Sequence, residues 1–335
     1  MEKTKNKPPY FYEKRIIALT FLLKISYFLA AIFATYIGIC KIPLTANPYS
    51  WLYIFCGGDT LWYHSLYDCG YEILPNLHDF QTEQYNYAFF PLYPLAIKAL
   101  AWLTQSSFFP AAFLFSLFLS PFTFLLFFRV MQHFVENEKE AFQAVLALML
   151  FPFHFFFSVY YTECLFLALM MGGYWSILNK KWGILALCIA GLALTRPNGI
   201  VTAFALYLFY LWQSDIFPLS RFFQQKRPYY PYLIAHLAFA CGLAALAWHC
   251  HELYTVTGDY FIFSKAAAAW GRKTTLPFAS LFNQGILAVQ VNSVFCIIYT
   301  LIALFGLRKF PFPLQFLVWI NLLLIVSTGQ MISIP

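Results

Sequence analysis

Residues 16–39, IIALTFLLKISYFLAAIFATYIGI, decide the fold class of this chain. A helix needs about 20 consecutive apolar residues to cross a bilayer, and this run is long enough although Lys24 interrupts it. The segment before it, residues 1–15, is basic and contains Lys3, Lys5, Lys7, Lys14 and Arg15. A cleaved signal peptide would have a shorter apolar core and a small-residue cleavage site, and neither is evident. The run therefore predicts a retained first span that follows a cytoplasmic basic segment.

The whole chain has the composition of a polytopic membrane protein. Of its 335 residues 61% are hydrophobic and 10% are charged, whereas soluble domains are about 25% charged. The apolar runs are continuous rather than alternating, which excludes a barrel and predicts an all-α helical bundle of about nine spans. The predicted spans lie near residues 16–39, 110–131, 141–158, 163–178, 183–196, 199–213, 232–250, 284–307 and 313–334. With no internal repeat or linker, residues 16–335 are expected to form a single transmembrane domain.

The net charge of +7 lies mainly in the basic segment and in short loops. Such placement indicates membrane topology rather than a nucleic-acid patch, so the expected partner is the bilayer and not a nucleic acid. The chain stops at Pro335, at the end of an apolar run. Either the last helix ends there or the sequence is a fragment.

The connection between the first two spans, residues 41–109, is long and polar. Its first part, residues 41–88, has one Lys and no Arg but five acids: Asp59, Asp68, Glu72, Asp79 and Glu83. The next segment, residues 88–103, has two prolines and Lys98, and we interpret it as an interfacial helix that does not cross. The Lys/Arg distribution then places the loop on the extracytoplasmic face. Cys56 and Cys69 lie in this loop, and whether they pair in an oxidising compartment is left open by the sequence.

Asp59 is the first candidate for chemistry. It lies just after the first span in Gly57-Gly58-Asp59-Thr60-Leu61-Trp62-Tyr63. A carboxylate beside aromatic side chains, which lower the local dielectric, is suited to act as a general base. The alternative is that Asp59 caps a helix that begins at Thr60, the more common role of an isolated aspartate.

Two further charges stand at the ends of apolar runs. Glu163 opens a predicted span, where the helix macrodipole favours an acid whether or not it binds substrate. Arg196 lies between two apolar runs, next to Pro197-Asn198-Gly199. A guanidinium beside the amides of a helix start is suited to phosphate, and a charge at membrane depth indicates function by default. The alternative is a snorkelling arginine at a turn.

A third cluster follows the predicted span at residues 232–250. Thr257-Gly258-Asp259 predicts a turn, and Trp270 with Arg272 suits either a sugar-phosphate contact or an aromatic anchor at the membrane interface. His249 and His251 with Glu252 resemble a metal cluster only loosely, because residues two apart face different sides of a helix. No metal is therefore expected.

In these stretches the chain resembles the PIG-V mannosyltransferases, the GPI mannosyltransferase 2 group, and their bacterial relatives. The matching stretches, in the order of the family, are Asp59-Thr60-Leu61-Trp62-Tyr63 with Gly70-Tyr71, Ala88-Phe89-Phe90-Pro91-Leu92-Tyr93-Pro94, Tyr161-Thr162-Glu163-Cys164-Leu165-Phe166, Thr195-Arg196-Pro197-Asn198-Gly199, and Thr257-Gly258-Asp259 to Trp270-Gly271-Arg272. The chain departs from the family at Gly58, where Trp is usual, and at Pro197, where Ser is usual. It also ends near where a further family motif would begin.

The resemblance implies a GT-C glycosyltransferase fold. It also implies transfer of mannose or another hexose from a polyprenyl- or dolichyl-phosphate sugar to a lipid-linked glycan or other acceptor. The expected catalytic base is Asp59, which the resemblance places at the family's first-loop acid. The expected donor phosphate ligands are Arg196, Asn198 and Arg272, and the expected substrate contacts are Trp62, Tyr63, Glu163 and Trp270. The departing lipid phosphate is already a good leaving group, so no cofactor or metal is required.

Two other functional classes stay open from the sequence. A transporter or flippase for a lipid-linked molecule would use Arg196 and Glu163 as charges along its pathway. A non-catalytic membrane subunit would stabilise a partner enzyme and would tolerate replacement of Asp59 and Arg196 together. The compact length favours the bacterial cytoplasmic membrane, and the endoplasmic reticulum membrane is the alternative.

Overall fold

The computed structural model describes residues 10–38, 50–71, 85–151, 153–214, 230–266 and 287–326. Within them the regular structure is entirely helical. The α-helices are α1 (Phe11–Tyr36), α2 (Gly58–Cys69), α3 (Leu92–Thr104), α4 (Phe108–Met131), α5 (Glu138–Met149), α6 (Glu163–Leu178), α7 (Trp182–Ala193), α8 (Gly199–Gln213), α9 (Tyr230–Thr257), α10 (Ile262–Ala266), α11 (Leu287–Gly306) and α12 (Phe312–Val326). Short 3₁₀ segments cover Ser50–Phe55, Asn86–Ala88, His154–Phe157 and Leu307–Lys309.

The chain is a helical membrane protein. Three helices of the described part are long and apolar enough to cross a bilayer: Phe11–Tyr36, Phe108–Met131 and Tyr232–Thr257. Large apolar side chains such as Leu22, Leu29 and Phe33 stay exposed on α1. A helix that is apolar on its outer as well as its inner face is typical of a membrane span. Helix α3 covers most of residues 88–103, the segment that the sequence analysis interprets as interfacial.

The chain divides into two compact units. The first contains residues 1–68 and 93–175, and the second contains residues 69–92 and 176–335. In the first unit, α1, α4 and α5 pack around a core that includes Tyr12, Ile16, Phe124, Phe128 and Val145. At one end of this core the Glu13 carboxylate pairs with the Arg129 guanidinium at 2.7 Å and links α1 to α4.

Helix α5 shows how local sequence sets an element of the first unit. The Asn137 side chain accepts a hydrogen bond from the Glu140 amide at 3.1 Å, and the Glu140 carboxylate accepts one from the Glu136 amide at 3.2 Å. This reciprocal capping satisfies amides that a helix start otherwise leaves open. The helix ends at Met149, well before residue 158 where the predicted span ended, because Pro152 disfavours helical backbone in front of it.

In the second unit, α9 packs against α7 and α8. The contact is close at Gly242 of α9, where an added Cβ would lie 2.7 Å from Cγ2 of Ile189. Leu192, Leu206 and Phe209 are fully buried in this unit. The small residue at position 242 therefore lets α9 approach α7 at close range.

Candidate active site

Asp59 lies in the first turn of α2 and is half-buried. The start of this helix is closed by Thr60, whose hydroxyl accepts a hydrogen bond from the Gly57 amide at 3.1 Å while its own amide donates to the Gly57 carbonyl at 3.0 Å. The helix therefore begins at Gly58, one residue before Asp59, and the Thr60 side chain accepts the hydrogen bond from the Gly57 amide. A carboxylate in this first turn is also favoured by the helix macrodipole.

The contact that defines the surroundings of Asp59 is with Tyr161. The Asp59 amide donates a hydrogen bond to the Tyr161 phenol oxygen at 3.0 Å. Tyr161 is buried, and its ring stacks on Phe156 with centroids 5.5 Å apart. A Cβ added to Gly57 would lie 3.2 Å from the same phenol oxygen. Because Gly57 has no side chain, the Tyr161 phenol has space to contact the start of α2.

Burial raises the pKa of the Tyr161 phenol well above its usual value, and the negative charge of Asp59 raises it further. The phenol is therefore protonated throughout the physiological range. Because the phenol oxygen accepts a hydrogen bond from the Asp59 amide, the phenol O–H can donate a hydrogen bond to a carboxylate or to a substrate oxygen. Asp59 and Tyr161 together form a carboxylate beside a neutral hydroxyl donor.

The residues after Tyr161 continue the contact with α2. Thr162 Oγ1 lies 3.4 Å from the Tyr63 hydroxyl, and the Tyr63 ring meets Tyr93 edge-on at 5.2 Å. Tyr63 is only 5% exposed, so packing occupies most of its surface, whereas Trp62 is half-buried. Glu163 is the first residue of α6 and is half-buried. The first unit thus brings together four sequence-predicted residues: Asp59, Trp62, Tyr63 and Glu163.

Arg196 belongs to the second unit, at the turn between α7 and α8. Its carbonyl accepts a hydrogen bond from the Gly199 amide at 2.9 Å, and its side chain is half-buried. Gly199 opens α8 directly against the backbone of α7: an added Cβ would lie 1.7 Å from the Leu192 carbonyl oxygen. Only glycine fits there, and this close approach fixes the turn that presents Arg196.

Asn198, another predicted phosphate ligand, has its side-chain amide engaged. Its Nδ2 donates to Oδ1 of Asn321 in α12 at 3.0 Å, and Asn321 Nδ2 donates to the Leu317 carbonyl at 2.8 Å. Asn198 therefore ties the Arg196 turn to α12.

The predicted turn after α9 is present. Gly258 has a positive φ of 74°, and Asp259 accepts a hydrogen bond from the Phe261 amide at 2.9 Å. The Lys265 ammonium pairs with the Asp259 carboxylate. Trp270 and Arg272 lie outside the described residues.

The cysteine and histidine predictions are also resolved in part. Cys56 and Cys69 do not form a disulfide bond with each other. His249 is fully buried and His251 is exposed, so they face different sides of α9 as expected. Among the described residues no group of three or more His, Cys, Asp and Glu side chains is arranged to hold a metal ion.

Sequence reasoning did not single out Tyr161 as part of the site. Its signal was indirect: two glycines precede Asp59, and nothing in the sequence states which distant side chain fills the space beside them. In the sequence, Lys24 stands out only as an interruption of the predicted first span. In the structure it is buried and hydrogen-bonded to Ser116, within the same unit as Asp59.

No protein-family model, curated protein or solved structure matches this chain. The resemblance to the PIG-V group therefore stays a prediction that rests on the motifs themselves.

Proposed function

We propose that this protein is a membrane hexosyltransferase that transfers mannose or a related hexose from a polyprenyl-phosphate sugar to a lipid-linked or other acceptor. The observation that carries the proposal is the hydrogen bond from the Asp59 backbone amide to the Tyr161 phenol, together with the effect of the Asp59 charge on the pKa of that phenol. A half-buried carboxylate beside a protonated phenol is an arrangement that accepts a proton from a substrate hydroxyl.

The proposed reaction is a single displacement with inversion at the anomeric carbon. The Asp59 carboxylate takes the proton of the acceptor hydroxyl as that oxygen forms its bond to the anomeric carbon. The bond from this carbon to the phosphate oxygen breaks at the same time, and its electron pair leaves with the polyprenyl phosphate. Tyr161 donates its hydrogen bond to a reacting oxygen or to Asp59, which keeps the carboxylate oriented.

The departing phosphate is assigned to Arg196, with Arg272 as a second cation. Support for Arg196 is its place at the start of α8, where helix amides and a guanidinium favour an anion. Asn198 is assigned a supporting role, because its Nδ2 is bonded to Asn321 and holds the turn. Trp62, Glu163 and Trp270 are assigned to the sugar. Tyr63 is assigned mainly to packing, since its ring already meets Tyr93.

The proposal includes the topology that the Lys/Arg distribution predicts. About nine spans form a GT-C-like bundle, residues 1–15 face the cytoplasm, and α2 with its Asp59 faces the opposite side. The bacterial cytoplasmic membrane is favoured over the endoplasmic reticulum membrane. The apolar surfaces between spans would hold the prenyl chain of the donor.

The decisive experiment is transfer from mannosyl- and glucosyl-phosphoprenyl donors by purified protein, with analysis of the lipid products. Asp59→Asn should lower transfer by about 100- to 10,000-fold, the usual contribution of a positioned base, and leave expression and donor binding near normal. Asp68→Asn is the matched control, because Asp68 is half-exposed on the same helix and pairs with His64 at 3.3 Å. Full transfer by Asp59→Asn would remove Asp59 as the base.

The phosphate assignment has its own test. Arg196→Ala should weaken use of the donor far more than use of the acceptor, since only the donor carries the phosphate. A defect confined to the acceptor would contradict the assignment. If Asp59 and Arg196 are replaced together without loss of any cellular function of the protein, it is a non-catalytic subunit instead.

A further inference from the structure

Lys24 is a charged residue near the middle of α1, one of the helices able to cross a membrane. Its side chain is only 8% exposed. A charge inside a membrane helix is costly, and such residues face the protein interior and mark function by default. A buried ammonium group at this depth needs a hydrogen-bond acceptor within the protein.

The partner is a serine on α4. Lys24 Nζ donates to the Ser116 hydroxyl at 2.8 Å, and the Ser116 hydroxyl donates to the Ser158 carbonyl at 3.1 Å. Among the described residues no carboxylate forms an ion pair with Lys24. The hydrogen bonds that start at the cation therefore end on the backbone at residue 158.

The direction of the Ser116 hydroxyl is informative, because its neighbours on α4 behave differently. Ser120 bonds back to the Ser116 carbonyl at 2.8 Å, and Thr123 bonds back to the Leu119 carbonyl at 2.7 Å. This return to the carbonyl four residues earlier is the common choice for a hydroxyl within a helix. Ser116 instead accepts from Lys24, which directs its proton away from α4 and toward Ser158.

The backbone that receives this bond is the non-helical link between α5 and α6. Apart from the 3₁₀ turn His154–Phe157, the described residues of this link form no helix. Some of their amides bond within the link, as the Ser158 amide does to the Phe155 carbonyl at 2.8 Å, and other buried polar groups need partners from elsewhere. Tyr160 is fixed by two such bonds: its amide donates to the Phe55 carbonyl at 3.3 Å, and its hydroxyl donates to the Leu52 carbonyl at 3.0 Å. Ser158 is fixed by Ser116.

The same link makes the contacts of the candidate site. Tyr161 accepts the Asp59 amide, and Thr162 lies against the Tyr63 hydroxyl. The link is therefore held at Ser158 by Lys24 through Ser116, and it contacts α2 through Tyr161. We infer that Lys24 is a positioning residue for the Asp59 site and acts through Ser116 on the link that carries Tyr161. This inference rests on the proposed hexosyl transfer and adds a residue to it.

A charged amine suits this role better than a neutral group. Hydrogen bonds from an ionised donor are stronger than neutral ones, and the Ser116 hydroxyl that accepts such a bond becomes a better donor to Ser158. Without the ammonium, Ser116 is free to turn back to its own helix as Ser120 and Thr123 do. The link would then lose its anchor at residue 158 while α1 and α4 stay packed.

The test compares Lys24→Met, Ser116→Ala and their double variant with the wild type, in the full-length protein in detergent or lipid. Lys14→Met, which replaces an exposed lysine of the same helix α1, is the control for the lysine. Ser120→Ala, a back-bonded serine of α4, is the control for the serine. Three quantities are measured: hydrogen exchange of the amides at residues 153–163, kcat and KM for transfer, and thermal stability.

We expect Lys24→Met to speed exchange at residues 153–163 and to lower kcat by about 100-fold, the effect of a misplacement of roughly 1 Å at a reacting centre. KM for the donor should change little. Thermal stability should not fall, because replacing a buried charge by an apolar side chain is often neutral or stabilising. Ser116→Ala should share these effects, and the double variant should be no worse than the worse single one, since both act on one chain of bonds.

The inference is overturned if Lys24→Met leaves both exchange at residues 153–163 and kcat at wild-type values. It is also overturned if stability and activity fall in parallel in Lys24→Met while Ser116→Ala is unaffected, because Lys24 would then only support the fold. Absence of transfer in the wild-type protein would instead refute the proposed function. The exchange measurement would still decide whether Lys24 holds the link.

Discussion

The backbone amide of Asp59 donates a hydrogen bond to the phenol oxygen of Tyr161 at 3.0 Å, across a separation of 102 residues in sequence. The bond joins the first turn of α2 to the link before α6. Asp59 is thereby placed beside a buried hydroxyl group that stays protonated, and the geometry depends on the small residues that precede the helix.

Gly57→Ala should disturb this contact, and Gly58→Ala should not. A Cβ at residue 57 would lie 3.2 Å from the Tyr161 phenol oxygen, so that the ring must shift by a few tenths of an ångström. A Cβ at residue 58 would lie at 3.6 Å, an ordinary van der Waals distance. We expect Gly57→Ala to cost about 1 kcal/mol of stability, at the low end for overpacking, and to lower transfer. Thermal unfolding and the transfer assay measure both, and equal behaviour of the two variants would contradict the expectation.

Tyr161 should lose its phenol proton at a higher pH than an ordinary tyrosine. Burial and then Asp59 raise its pKa, above the value of about 10 of an unfolded chain. The stability that the neutral phenol contributes is therefore fully present below about pH 10 and is lost as pH rises toward the folded pKa. NMR titration of ring-labelled tyrosine, with the signal assigned by Tyr161→Phe, measures it. Asp59→Asn should lower this pKa without restoring the ordinary value, because burial remains, and a wild-type signal that titrates near pH 10 would refute the account.

Gly199→Ala should unfold the turn that presents Arg196. The added Cβ would lie 1.7 Å from the Leu192 carbonyl oxygen, a backbone atom that cannot move aside without distorting α7. The cost should reach or exceed the upper end of the usual overpacking range of about 1–3 kcal/mol. Gly183→Ala is the matched control: it lies on α7 with open space around it, and alanine is a better helix former than glycine. Thermal unfolding in detergent should show a loss for the first variant and no loss for the second.

The Asp259–Lys265 ion pair should make the free energy of unfolding depend on pH in the acidic range. The hydrogen bond from Lys265 is the main cause that lowers the pKa of the Asp259 carboxyl, followed by the one from the Phe261 amide. A lowered folded pKa means that the contribution is present above the unfolded value of about 3.9 and disappears as pH falls through the folded pKa. Lys265→Met should raise the Asp259 pKa. NMR titration of the Asp259 carboxyl carbon checks the shift, and an identical titration in both proteins would show that the pair has no such effect.

Helix positions in this chain were predictable where apolar runs are long. The predicted first span at residues 16–39 corresponds to α1 at Phe11–Tyr36, and residues 199–213 correspond to α8. The helix itself extends into the polar segment before the first run, because Glu13 has a partner in Arg129 that hydropathy does not report. The run at 141–158 is one apolar stretch in sequence but ends as a helix at Met149, since hydropathy does not register the effect of Pro152.

The sequence predicted Asp59, Trp62, Tyr63 and Glu163, which the first unit brings together, and it predicted Arg196 of the second unit, but it did not predict Tyr161. Asp59 and Arg196 stand out because charges are rare in such a chain. Tyr161 does not stand out among 23 tyrosines, since its role comes from a tertiary contact and not from local pattern. Lys24 was visible as a charge in a span, but its acceptor lies 92 residues away on another helix.

The Asn198–Asn321 bond has a consequence for biogenesis. Its two residues are 123 positions apart, and a ribosome adds about 5 to 20 residues per second, so α12 is made roughly 6 to 25 s after the Arg196 turn. During that interval the turn lacks one of its anchors inside the translocation machinery. The turn at Arg196 would therefore gain its hydrogen bond to α12 only after α12 has been made, and truncation before α12 should leave a chain without the Asn198–Asn321 bond.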